Sequence, residues 1–227
     1  MPNEPMADTR DMYMAHDMFR REIGLLPALV RAATAGDTER AGILAAHLEL
    51  VQEILHHHHH AEDKHIWPRL LDRGTAEVDP IVRVMEQQHE QIDKVVAEVT
   101  AGIATWRDAA DPRQGAALAD ALDRLHGLLI EHLAVEEDQA VPLINKYITA
   151  AEWTAMIAEG GAEVSPEQTP LVFGMMSYEA DPDVVRDIVA QLPLEVGPAL
   201  TSMATEAFAA HSRLVHGTST PARIGGR

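Results

Sequence analysis

Leu44-Ala-Ala-His47-Leu48-Glu-Leu-Val51-Gln-Glu-Ile-Leu55-His56-His57-His58-His59-His60-Ala61-Glu62-Asp63-Lys-His-Ile66 is an apolar stripe that turns polar without losing its helical phase. Leu44, Leu48, Val51, Leu55, His58, Glu62 and Ile66 follow one another at spacings of four, three, four, three, four and four, which keeps them on one face of a helix. That face would bury a histidine and a glutamate between leucines and an isoleucine. The five histidines lie mid-chain within helix-forming sequence, so they do not read as an appended tag.

Working outward, this helix runs from Thr38 to about Leu71, with Gly36-Asp37 before it and Gly74 after it. An earlier helix, capped by Thr9 or Asp11 and reaching about Ala33, carries the stripe Met12, His16, Phe19, Ile23, Leu26, with a kink expected at Pro27. Asp79-Pro80 opens a third helix to about Ala110, with Val82, Met85, His89, Ile92, Val96, Val99 and Ile103 inward. Asp111-Pro112 opens a fourth to about Tyr147, with Leu118, Leu122, Leu125, Leu129, His132, Glu136, Gln139 and Leu143 inward and a bend at Pro142. Four long helices joined by short loops predict an all-α fold, an up-down-up-down antiparallel four-helix bundle over residues 10–148. A C-terminal extension of short helices follows over 149–217, starting at the capping box Thr149-Ala-Ala-Glu152 and restarting at Ser165-Pro166, Asp181-Pro182 and Pro193. It reads as a cap on the bundle or a dimer surface, and 218–227 as a disordered tail.

Composition narrows the function. The 36 acidic and 18 basic residues leave a formal charge of −18, which repels phosphate backbones and anionic lipid surfaces. The absence of cysteine excludes disulfides, thiolate catalysis and iron–sulfur ligation, so a metal must be held by histidine and carboxylate. The start, residues 1–10, is polar with no apolar signal region, and no stretch approaches the roughly 20 apolar residues of a membrane span. The expectation is a cytoplasmic protein, monomer or homodimer, that binds neither nucleic acid nor membrane.

Each long helix carries one histidine on its inward stripe, and chain length puts the four at one height. From His16 to Ala35 is 19 residues and from Thr38 to His58 is 20, roughly 28 against 30 Å. Glu62 to Leu71 and Pro80 to His89 are 9 each, and His89 to Ala110 and Pro112 to His132 are 21 and 20. In His58-x-x-x-Glu62 and His132-x-x-x-Glu136 the two residues share a face one turn apart. His16, His58, Glu62, His89, His132 and Glu136 therefore converge. Left unpaired in a core, each would cost on the order of 1 to 3 kcal/mol or more. Four imidazoles and two carboxylates suit two metal ions bridged by the glutamates, with iron or manganese favoured by the absence of thiolate.

These segments resemble the hemerythrin-like proteins with an HHE cation-binding domain, of actinobacterial type. The matching pieces are Tyr13-Met-Ala-His16-Asp17, His58-His59-x-x-Glu62-Asp63-x-x-Ile66-Trp67-Pro68, Gln88-His89-Glu90 and His132-Leu-x-x-Glu136-Glu137. The resemblance covers about residues 10–147. It implies a non-haem di-iron centre, two iron ions bridged by carboxylates and an oxo or hydroxo group, that reacts with O2, H2O2 or NO. It also makes His59 a candidate ligand to the second iron, which would supply a fifth imidazole. Oxygen-carrying hemerythrins bring a second histidine along the third helix and close the fourth with His-x4-Asp; here Met85, Asp93 and Glu136 stand instead, which favours turnover of peroxide over reversible oxygen storage. The reading is therefore a di-iron protein with peroxidase- or catalase-like chemistry, against non-enzymatic oxygen or nitric oxide binding or sensing, or iron storage for repair.

Around the ligands, Tyr13 either places a phenol near the metals or fills the bundle end. His56, His57 and His60 read as a solvated or outer patch, and His65 as an outer partner. His47, His126, His211 and His216, with Glu90 and Glu137, are expected at the surface, and Met12, Met14, Met18 and Met85 in the core.

Overall fold

The computed structural model describes residues 4–224, so residues 1–3 of the polar start and 225–227 of the expected tail lie outside the described residues. Every regular element among the described residues is helical. In chain order they are α1 Arg10–Ala32, α2 Thr38–Ala61, α3 Trp67–Arg73, α4 Val78–Trp106, α5 Pro112–Val135, α6 Val141–Tyr147, α7 Ala150–Glu163, α8 Thr169–Ser177, α9 Pro182–Ala190 and α10 Val196–His216. None of these is long and apolar enough to cross a membrane.

Helix starts follow local chemistry. The Asp37 carboxylate accepts from the Arg40 amide at 3.0 Å, and Asp111 accepts from the Arg113 and Gln114 amides with Pro112 at the helix start. Thr149 and Glu152 close the expected capping box. The third long helix departs from expectation: it begins at Val78, so Asp79 lies inside its first turn and binds Arg83 Nε at 2.8 Å instead of capping. Val78 is buried at this helix start.

α1 packs against α2 and α5, and α4 packs against α2 and α5, which closes the four long helices into a ring. Their apolar contacts fall into two clusters. The larger takes Met18 to Val30 from α1, Ala41 to Leu55 from α2, Ile92 to Trp106 from α4 and Leu118 to Leu133 from α5. The smaller takes Met12, Ile66 to Leu70, Val78 to Met85 and Ala140 to Ile148, with Trp153 and Met156. On every long helix the residues from His16, His58–Glu62, His89 and His132–Glu136 fall between the two clusters, as one polar layer.

The second and fourth long stretches are not continuous α-helices. Each contains a π-turn, Glu62–Ile66 between α2 and α3 and Glu136–Ala140 between α5 and α6, in which the Trp67 amide bonds to the Glu62 carbonyl and the Val141 amide to the Glu136 carbonyl. Both follow the same pattern, His58-x3-Glu62-Asp63-x4-Pro68 and His132-x3-Glu136-Glu137-x4-Pro142. A proline six residues after the glutamate has no N–H to donate and would clash with the carbonyl four residues back; the wider turn moves it to the first turn of a new helix, where neither matters. The inserted residue also shifts the phase, so Gln139, expected inward, is exposed and Ala140 is buried.

The extension is tied to the larger cluster through Met175, Phe208 and Val215. α8 and α10 approach so closely that a Cβ at Gly174 would stand 2.3 Å from the Ala204 carbonyl oxygen. His47, His211 and His216, expected at the surface, instead join a polar network there. Glu22, fully buried, holds Arg21 Nε at 2.8 Å on one oxygen and His216 Nε2 at 3.0 Å and His47 Nε2 at 3.2 Å on the other. His47 Nδ1 lies 2.9 Å from His211 Nε2, and Arg21 continues to Glu179 and the Met175 carbonyl. Spacing could not show this, because these histidines pair with a helix far along the chain. In residues 218–224 the Tyr178 hydroxyl donates to the Pro221 carbonyl and the Ile224 amide donates to Glu179.

This network makes the docking of α10 acid-sensitive. Burial and the neighbouring His47 push His211 down to about 4, so its neutral form is favoured in the fold and docking weakens as pH falls from 6.5 toward 4. Burial would raise the Glu22 carboxyl, but its hydrogen bonds to His216 and His47 and the Arg21 charge hold it well below the usual range, so its contribution survives until lower pH. Hydrogen exchange of the metal-free protein should show α10 losing protection across that window before α4 and α5 do. Uniform loss across all helices would contradict it.

Candidate metal centre

His58, His59 and Glu62 come from the end of α2 and the first π-turn, His132 and Glu136 from the end of α5 and the second π-turn, His16 from α1 and His89 from α4. Their ligating atoms form two groups. His59, His89 and His132 make one, and His16, His58, Glu62 and Glu136 the other, each with its atoms within 4.8 Å of one another. The two carboxylates join the groups. Glu62 lies 3.1 Å from His58 Nε2 through one oxygen and 3.5 Å from His89 Nε2 through the other. Glu136 Oε2 lies 3.4 Å from His16 Nε2 and 3.5 Å from His132 Nε2.

His59, one residue off the stripe, belongs to this assembly. It is 4 % exposed, stacks on His89 with centroids 4.0 Å apart, and meets the His132 ring edge-on. His58 and His59 thus point into different groups, as the 100° step between successive helical residues requires. His56 and His60 are exposed and stack on each other, while His57 pairs with Glu163 and His65 with Glu159. Tyr13 is half-buried against the smaller apolar cluster, its ring 6.4 Å from that of His16. Met12, Met14, Met18 and Met85 are buried, as expected of core residues.

The converging atoms have no hydrogen-bond partner. His16, His58, His59, His89 and His132 each leave a buried Nε2 unbonded, and Glu62 and Glu136 leave both oxygens so. Buried polar atoms are otherwise satisfied in folded proteins, so nine together mark a place built for something else. Burial and the surrounding imidazoles hold His58 and His59 well below the ordinary histidine range and His132 down at about 2, which keeps lone pairs free. Burial and the adjacent Glu136 carboxylate push Glu62 well above the usual carboxylate range, a cost that a cation removes.

Three of the imidazoles are held from behind. His16 Nδ1 lies 2.8 Å from Glu137, His89 Nδ1 2.9 Å from Asp63 and His132 Nδ1 3.2 Å from Gln88. Glu137 is thus no simple surface charge: burial would raise its carboxyl, but hydrogen bonds with His16 and Arg20 bring it down to about 2. Asp63 and Gln88 are the partners that sequence reasoning missed. The signal for Asp63 was its place directly after Glu62, matching Glu137 after Glu136. The supports cross over, each π-turn orienting a histidine on a different helix. Asp63→Asn and Glu137→Gln should each weaken metal affinity by about 10 to 100-fold without removing a ligand, measured by competition with a chromogenic chelator. Unchanged affinity in both would show that these carboxylates do not orient the imidazoles.

A family model described as the hemerythrin HHE cation binding domain matches residues 7–144. No curated protein and no solved structure matches the chain.

Proposed function

This chain belongs to the hemerythrin HHE cation-binding family, and we propose that its polar layer holds two iron ions that bind and turn over a small oxidant, hydrogen peroxide, nitric oxide or dioxygen. The observation that carries the reading is the set of nine unbonded, buried ligand atoms on seven residues. His59, His89 and His132 would hold one ion and His16, His58, Glu62 and Glu136 the other, and the approach of Glu62 to His89 and of Glu136 to His132 would let both carboxylates serve both ions. The scaffold in this reading is an up-down-up-down bundle of the four long helices over 10–148, with 149–217 as an appended extension, in a cytoplasmic protein.

Bound iron supplies a Lewis acid and exchanges electrons with the oxidant. The chain does the rest. Of the seven residues, His58 and Glu62 line an adjoining cavity, so an incoming molecule would reach the layer from their side. Asp63, Glu137 and Gln88 fix three rings with their lone pairs inward, so little reorganisation is needed when the oxidant arrives. The apolar clusters on both sides limit water in the layer.

The test is iron content together with oxygen release after peroxide is added to the iron-loaded protein. Two irons per chain and turnover above free iron are expected. Two irons with a reversible oxygen-dependent spectrum and no peroxide consumption would replace turnover by binding, and no bound metal would overturn the reading.

A further inference from the structure

The metal layer is built by the long helices, yet it does not explain the short ones. α9 buries only Val184 among the described residues, and Ile157 of α7 is 48 % exposed, although both helices are apolar along one side. With α1, α2 and α8 they line a half-open cavity of about 550 Å³. Phe19, Met156, Phe173, Met176 and Ile188 form its walls, and His58 and Glu62 lie at its inner end.

We propose that this cavity is a binding site for an uncharged apolar organic molecule, held against the His58 and Glu62 side of the polar layer. Its position beside a metal rests on the reading above; the binding itself does not. Size is the first argument. The volume is about eighteen times the roughly 30 Å³ that one water occupies in the liquid, far beyond what a small oxidant needs, and it falls within the ~300 to 1,000 Å³ range of sites for organic ligands. Lining is the second, since most of the lining residues are aliphatic, thioether or aromatic, and such surface gains by covering with apolar groups rather than with water. Charge at the rim is the third. Asp8, Asp11 and Asp187 stand there with Arg10, whose guanidinium is already engaged by Asp8 at 2.6 Å and Asp187 at 3.0 Å. Asp11 accepts from Trp153 Nε1 at 3.1 Å. At this rim an organic anion would meet acidic groups and, among the described residues, no free cation, so entry favours an uncharged occupant.

Two glycines of α7 allow a direct test. Gly160 and Gly161 line the cavity, and a Cβ on either would meet nothing within 4 Å, so Gly160→Leu with Gly161→Leu fills space without displacing the core. Both changes also favour the helix. The uncharged dye Nile red is bound to the full-length protein, metal-free and iron-loaded, and displaced with dodecanol or with dodecanoate. Displacement by dodecanol at concentrations about tenfold below those needed with dodecanoate is expected, as is about tenfold weaker dye binding in the filled variant at unchanged helicity. Dye binding equal in the filled variant, or a preference for dodecanoate, would overturn the proposal. In iron-loaded protein dodecanol should shift the optical spectrum, and no shift despite binding would overturn the placement beside the centre. If the chain takes up no iron, the metal reading fails while the metal-free arm still decides the cavity.

Discussion

Replacing Glu62 and Glu136 together by glutamine should stabilise the metal-free chain and remove most of the stabilisation that metal gives. In the wild-type chain two carboxylates are buried side by side with no hydrogen-bond partner, and burial with mutual repulsion raises Glu62 well above its ordinary range. Breaking the compensation of a buried charge costs on the order of 3 kcal/mol, so the metal-free double variant should be more stable than metal-free wild type by about that much. Bound metal has the opposite dependence. A ligand at a thousandfold excess over its Kd stabilises by about 4 kcal/mol, which in a chain of this size raises Tm by roughly 8 to 16 °C. Wild type should show that rise on loading with ferrous iron, and the double variant little of it. Calorimetry of both proteins, with and without iron, reads all four states. A metal-free double variant less stable than metal-free wild type would mean that the two carboxylates are satisfied within the fold, and the bridging role would fall.

The second large effect concerns His59 within its run of five. His59→Leu should lose the ion held by His59, His89 and His132 while leaving the other group, lowering bound iron from two per chain to about one after dialysis against a chelator. The affinity lost should exceed the roughly 100-fold that removing an outer partner costs, because a ligand itself is gone. Leucine restores the apolar volume, so the fold should survive. His56→Ala and His60→Ala, both on the exposed side, should hold two ions and stay within about 0.5 kcal/mol of wild type. Retention of two ions by His59→Leu, at unchanged affinity, would restrict this imidazole to packing on His89.

Much of this centre could be read from spacing. A helix advances by a fixed angle and rise per residue, so His58 with Glu62 and His132 with Glu136 had to share faces, and equal segment lengths between hairpins had to bring His16, His58, His89 and His132 level. Capping residues were equally local, which is why Asp37, Asp111 and the Thr149–Glu152 box stand where expected. His59 was harder, because its 100° offset from the stripe is a fault in a straight helix facing one core and an advantage where two groups of candidate ligand atoms lie side by side. The π-turns were written in the repeated proline, but their effect on phase, exposing Gln139 and burying Ala140, appears only once the backbone has chosen between kinking and widening.

The sequence by itself determined the helices, their polar layer and the residue types able to hold a cation, since these follow from periodicity, length and the lack of cysteine. Only the tertiary structure decided which partners stand behind the imidazoles, that His47, His211 and His216 are buried with Glu22, and that the extension lines a half-open cavity ending at His58 and Glu62. The physical reason is the range of the interactions. Helical phase is set by neighbours three and four residues apart, whereas the contacts of Glu137 with His16 and of His216 with Glu22 span 121 and 194 residues, and no local rule carries that far.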